Sequence, residues 1–266
     1  MIHPHTYIHP DARLAENVKV DPFTVIHQDV IIGAGTWIGS NVTIMEGVRI
    51  GANCRIFPGA VIGAVPQDLK FKGEQTYVEV GDNTIIREYV TIHRGTSDRW
   101  KTTVGNNCLI MAYSHIAHDC CVGNHCIMSN NSQMAGHVVM ADYAWIAGFT
   151  AIHQFVKIGQ NAFIAGGSLV RKDVPPYIKA VRNPLSYGGV NSVGLKRRGF
   201  SIEKINGILD IYRIIYNKGL NTTKALEYIE EELPASDERD EIIGFIRESE
   251  RGIIKRYSKS ETDEEQ

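Results

Sequence analysis

The chain has 266 residues, 43% of them hydrophobic and 22% charged, with 28 Lys and Arg against 30 Asp and Glu and a net charge of −2. This composition supports a sizeable core and excludes intrinsic disorder and a disulfide-stapled miniature, and near-neutral charge argues against wholesale nucleic-acid binding. No run approaches the roughly 20 apolar residues of a membrane span, the start MIHPHTYIHP lacks the apolar core of a signal peptide, and five cysteines without a CxxC suit a reducing compartment. The chain is therefore expected in the cytoplasm.

From Ile8 the sequence repeats every six residues, through Leu14, Val20, Ile26, Ile32, Ile38, Ile44, Ile50, Ile56 and Ile62, and the same register resumes at Val80 and runs on to Val170. Of 28 positions in this register, 25 are Ile, Leu, Val or Met; the exceptions Asp68, Glu74 and Asp98 mark 64–79 and 94–103 as loops leaving the repeat. Four residues after each aliphatic anchor comes a mostly small residue, for example Thr36, Cys54, Thr84, Cys108, Cys120, Cys126 and Ser132. A helix needs a period of 3.6 and an ordinary strand a period of 2, so neither produces this pattern. A solenoid with three short strands per triangular coil and eighteen residues per turn does, and the signature resembles the left-handed parallel β-helix. Four of the five cysteines then fill small inward positions, and Cys121 lies outside that set.

The β-helix is expected over 1–190. The period stops after Pro175-Pro176, and a helical domain is expected over 191–257, covering the open end of the solenoid. Ser201 is a plausible N-cap for a helix with an apolar face of Ile205, Ile208, Leu209, Tyr212 and Ile215 that ends at Gly219. A second helix is expected from Thr222 or Thr223 to Glu232 and a third over 237–254, and 258–266 reads as a solvated acidic tail.

Equivalent positions three hexads apart lie above one another. With 94–103 as an excursion, the hexads of Ile62, Ile92, Ile116, Met134 and Ile152 form one stack, and their polar positions converge on one edge. His93, His115, His118, Asp119, Gly136, His137 and Gln154 meet there. A single histidine on a solenoid is ordinarily a solvated corner residue; four of them, an adjoining Asp and two loops on one edge are not. Asp119 can orient His118, and the N–H of Gly136, one coil above, is approachable by a substrate oxygen. No serine or cysteine nucleophile joins the group, so direct transfer with His118 as general base is the simpler chemistry.

QDLK (67–70), VTIHRGT (90–96), SHIAHDC (114–120), MAGH (134–137), HQF (153–155), GVN (189–191) and GLKRRGF (194–200) resemble the UDP-N-acetylglucosamine O-acyltransferase family over almost the whole chain. The resemblance implies transfer of a (3R)-3-hydroxyacyl group from acyl carrier protein to the 3-OH of UDP-N-acetylglucosamine, the first step of lipid A biosynthesis. It implies His118 as base, Asp119 as its support and Gly136 as oxyanion donor. Sugar-nucleotide contacts map onto Asp68, Lys70, His115, His137, Gln154, Asn191, Arg197 and Arg198, with His93 lining the cleft, and Gly166 matches the position that limits acyl-chain length. A homotrimer with sites between neighbours is implied, and neither a metal nor a dissociable cofactor. On charge alone, Lys196, Arg197 and Arg198 suit phosphates or an acidic carrier protein.

Pro184, where a family histidine can occur, and Val193, in place of an acidic residue, leave a 3-amino sugar open as acceptor. An N-acylating sister enzyme usually carries an N-terminal uridine-binding domain, whereas here the hexads begin at residue 8. A zinc carbonic anhydrase built on His115, His118 and His137 gives Asp119, Gly136 and GLKRRGF no purpose. A non-catalytic binding solenoid is the remaining alternative.

Overall fold

The computed structural model describes residues 1–257; the acidic stretch expected as a tail at 258–266 lies outside the described residues. Short strands, most of two residues, assemble into sheets of nine, eight and ten strands that form the three faces of the expected left-handed parallel β-helix. The anchors set the register. On the first face Ile44 pairs with Ile62, Ile62 with Ile92, Ile92 with Ile116, Ile116 with Met134 and Met134 with Ile152. These side chains point inward and are at most 3% exposed, each burial contributing about 2 kcal/mol. The second face carries Ile50, Val80, Val104, Val122 and Met140, and the third Ile56, Ile86, Ile110, Met128, Ile146 and Ile164.

Two features of the hexad are chemical rather than steric. The third residue after the anchor turns the corner in the left-handed region, with φ of 55° at Asn53, 56° at Asn107, 59° at Asp119 and 63° at His137; Asn and Asp tolerate that conformation best among non-glycine residues. The small position is also a donor. The hydroxyls of Thr24, Thr36 and Thr84 donate to the carbonyls of Gly39 (2.7 Å), Gly51 (2.9 Å) and Gly105 (2.8 Å). The thiols of Cys54, Cys108 and Cys126 do the same to Gly81, Gly123 and Ala141. Each satisfies a corner carbonyl of the next coil.

The loops are shorter than the register indicates. Residues 77–79 and 101–103, expected in the two excursions, are strand: Tyr77–Val80 and Lys101–Val104 pair over four residues, because Val78 and Thr102 are buried as fully as the anchors and extend the sheet.

At the far end, Ile178–Val181 continues the third face and Ser186–Val190 folds back antiparallel to it. Four helices follow: α1 (Ser192–Arg197), α2 (Ile202–Asn217), α3 (Thr222–Glu232) and α4 (Asp237–Arg247). The side chains of Ser201, Asn221 and Ser236 cap the last three. Tyr212 of α2, fully buried, donates its hydroxyl to the Pro176 carbonyl at 2.6 Å and so ties the helices to the last coil. The third expected helix, 237–254, stops at Arg247 because the chain returns to the prism, where Ile253 bridges Asp173 and Arg256 bridges Tyr187.

Candidate active site

Ile116 points into the prism, which turns the next corner outward and carries His118 and Asp119 with it. Asp119 is 0% exposed, and its carboxylate accepts from the Thr96 N–H (3.0 Å), the Thr96 hydroxyl (2.6 Å), the Arg99 N–H (3.2 Å) and His118 Nδ1 (2.9 Å). Burial raises its pKa, but the donors from Thr96, His118 and Arg99 outweigh that and hold it below the usual carboxylate range. An ionised carboxylate only accepts, so His118 carries its proton on Nδ1 and leaves the Nε2 lone pair free.

Gly136 stacks directly on this imidazole: a Cβ there would lie 2.6 Å from His118 Cε1 and 2.7 Å from Nε2. Its N–H is open. At the corner after the second face, the equivalent N–H groups are taken by a ladder of side chains, Ala52 by Asp82, Asp82 by Asn106, Asn106 by Asn124 and Asn124 by Asp142, at 2.7–2.9 Å. The same positions at the histidine corner are His118, Gly136 and Gln154, and among the described residues no hydrogen bond engages the Gly136 N–H.

His137 meets His118 edge to face (5.1 Å) and stacks on Phe155 (4.4 Å). Its Nδ1 lies 3.1 Å from Asp98 and its Nε2 3.9 Å from Asp119. His93 is 5% exposed and meets His115 edge to face at 4.6 Å, and His115 Nδ1 shares a 2.7 Å hydrogen bond with Thr91. Burial, then the neighbouring His115 and His118, push the His93 pKa down to about 4; burial, then His118, lowers that of His115. Both are neutral rings near pH 7.

The corner therefore brings together His93, His115, His118, Asp119, Gly136, His137 and, exposed beside them, Gln154. The residues missed are Thr96, Asp98, Arg99 and Thr102, whose hydroxyl receives the Asp119 N–H at 2.9 Å. They sit in and just after the excursion, where the period that places everything else is broken. Arg94, two places after Ile92 as His118 is after Ile116, turns to the two coils below, with Nε on the Gly63 carbonyl and Nη1 on Glu46, both at 2.9 Å. Among the described residues no hydrogen bond or ion pair joins Asp68 or Lys70 to the histidines; Asp68 accepts the Lys70 N–H within its own loop at 2.9 Å.

His118, Asp119 and His137 have ligand atoms within 4.8 Å of one another. The converging trio differs from the His115, His118 and His137 set of the zinc alternative, and Asp119 has already spent its oxygens on four donors within the chain.

The other candidates occupy other corners. Asn191 caps α1 and donates to the Asn161 carbonyl at 3.0 Å. Arg198 donates to the Tyr143 carbonyl (2.9 Å) and lies 5.3 Å over the Tyr143 ring, on the corner after the second face. Its Nη1 is buried without a partner. Arg197 and Arg198 line a cavity of about 470 Å³ floored by Ile127, Trp145 and Phe163. Gly166 lies on the corner after the third face, where a Cβ would come 3.1 Å from the Gly148 carbonyl oxygen. One chain thus distributes the candidate residues over three edges of the prism.

The match to known proteins covers both parts of the chain. Residues 29–64 and 101–136 match the bacterial transferase hexapeptide family, and 173–254 match the second domain of UDP-N-acetylglucosamine O-acyltransferase. The UDP-N-acetylglucosamine O-acyltransferase of Sulfurihydrogenibium sp. is 48% identical over 97% of this chain and 96% of its own. The crystal structure of the UDP-N-acetylglucosamine acyltransferase of Bacteroides fragilis superposes with a TM-score of 0.94 at 51% identity, covering 96% of this chain and 100% of that one. The Francisella novicida enzyme gives a TM-score of 0.95 at 41% identity, over 99% and 97%. With a hexapeptide prism, a helical end and relatives matched over nearly their full length, the chain belongs to the UDP-N-acetylglucosamine O-acyltransferase family.

Proposed function

We propose that the protein transfers a (3R)-3-hydroxyacyl group from acyl carrier protein to the 3-OH of UDP-N-acetylglucosamine, the opening step of lipid A biosynthesis. The observation that carries the mechanism is the His118–Asp119 pair stacked beneath an open Gly136 N–H. His118 Nε2 takes the proton of the sugar hydroxyl as its oxygen attacks the thioester carbonyl. The new C–O bond leaves a tetrahedral oxyanion, which the Gly136 N–H stabilises. Collapse breaks the C–S bond, and His118 returns its proton to the departing thiolate. Asp119, held ionised, stabilises the imidazolium between the two transfers.

The neutral rings of His93 and His115, together with His137, Gln154, Asp68 and Lys70, are the proposed walls of the sugar site. The unpartnered Nη1 of Arg198, with Arg197 and Asn191, suits the diphosphate. These groups complete one site when the arginine edge of a neighbouring chain faces the histidine edge, the arrangement of a cyclic trimer. The edge bearing Gly166 also exposes Tyr89 (55%), Tyr113 (55%) and Phe149 (73%), apolar surface such an assembly would cover. Gly166 leaves room for a chain of roughly fourteen carbons or more, each buried CH₂ contributing about 0.8 kcal/mol.

No helix of the described residues is long and apolar enough to cross a membrane, and the proposed reaction joins soluble substrates in the cytoplasm. The test is product formation from 3-hydroxyacyl carrier proteins of ten to sixteen carbons with UDP-N-acetylglucosamine, using wild type and His118→Ala. Transfer lost in a folded mutant supports the reading. Transfer to a 3-amino sugar alone redirects it, and a best donor of ten carbons contradicts the role of Gly166.

A further inference from the structure

We propose that Asp98 is a positioning residue that fixes the orientation of His137; the proposal rests on the acyl-transfer reading above. Asp98 is one of the three positions where the hexad fails, and it lies on the loop that leaves the prism at residue 94. Its Oδ2 comes to 3.1 Å from His137 Nδ1. The nitrogen is buried and the oxygen lies out of line with the ring N–H, so the contact is one of charge rather than a linear hydrogen bond.

Stacking on Phe155 at 4.4 Å and 12° fixes the plane of the His137 ring but not which edge faces the cleft. A half-turn about χ2 would exchange Nδ1 with a carbon at little cost to the stack. Asp98 removes that freedom. With Nδ1 drawn to the loop, Nε2 faces Asp119 and the cleft, 3.9 Å from Asp119 Oδ2.

The loop itself is braced for this task. The Asp98 N–H donates to the Thr96 hydroxyl at 3.3 Å, and that hydroxyl donates to Asp119 at 2.6 Å. One loop thereby orients both imidazoles, His118 through Thr96, Arg99 and Asp119, and His137 through Asp98. A carboxylate 61% exposed is screened by solvent, so the effect is graded: Asp98→Ala should raise KM for UDP-N-acetylglucosamine about three- to five-fold with kcat nearly unchanged. Asp98→Glu, which keeps the charge within reach of Nδ1, should recover most of the loss.

The deciding readout needs no turnover. Nitrogen-15 histidine spectra of wild type, Asp98→Ala and Asp98→Glu, with His137 identified by His137→Gln, should show the His137 nitrogens shifted in the Ala variant and close to wild type in the Glu variant. His137 signals unchanged in Asp98→Ala overturn the proposal, with or without a change in KM. If wild type acylates no UDP-sugar, the acyl-transfer reading fails while the spectra still decide what Asp98 does to His137.

Discussion

The His118 ring packs against Gly136 so closely that a Cβ at 136 would fall 2.6 Å from Cε1 and 2.7 Å from Nε2. Gly136→Ala must therefore displace the imidazole, since the corner backbone is fixed by strand pairing on both sides. We expect kcat to fall by about 10²-fold, the cost of a displacement near 1 Å, with the melting temperature little changed. Steady-state kinetics beside a thermal melt check it; wild-type kcat would remove Gly136 from the site.

Asp119 gives a pH signature. Its folded pKa is depressed below the ordinary 3.8, so it stabilises the fold above that value, and the contribution is lost as pH falls from about 4 through the folded pKa. Asp119→Asn should flatten acid unfolding in this window and, by weakening the support of His118, lower kcat at neutral pH. Urea unfolding midpoints from pH 2.5 to 6 measure the first effect. An unchanged acid limb in the variant would contradict it.

The donors at the small positions can be tested one at a time. Thr84→Val keeps the shape and removes the hydroxyl, leaving the Gly105 carbonyl and the Cys108 N–H, both bonded to Thr84 at 2.8 and 3.1 Å, unsatisfied in a dry corner. A loss of about 1–3 kcal/mol in denaturant unfolding is expected, and Thr84→Ser should be much milder. Equal stability of the two variants would reduce the position to one of size.

If the arginine edge of one chain serves the histidine edge of the next, two dead proteins can make a live one. His118→Ala and Arg198→Ala homo-oligomers should each be nearly inactive, whereas their one-to-one mixture, unfolded and refolded together, should recover about a quarter of wild-type sites. Two independent halves combine in each site. No recovery on mixing would place both groups in the same chain's site.

The fold was legible because one residue in six is committed to the prism axis. Ile62, Ile92, Ile116, Met134 and Ile152 align as the register requires, and His118, Gly136 and His137 follow by counting. Three things were not legible. Thr96, Asp98 and Arg99 act from a stretch with no period, so nothing in the spacing places them. Val78 and Thr102 lengthen two strands through burial that the six-residue rule does not encode. Thr84 and Cys108 read as small residues because size is visible in a residue list, whereas the carbonyl each one meets belongs to another coil.

The pairing of Ile116 with Met134 puts His118 and Gly136 at equivalent points of successive coils, about 4.8 Å apart along the axis. The proposed base and oxyanion donor are therefore separated by a lattice constant of the backbone, which substitutions on the surface of the prism leave untouched. The chain is intolerant in a different direction. One residue added or removed within the strands between them would turn the following anchors out of the core, whereas length that leaves a corner as a loop, as at 94–100, or coils added above or below the pair leave it intact, so evolution could alter the height of the prism without retuning its chemistry.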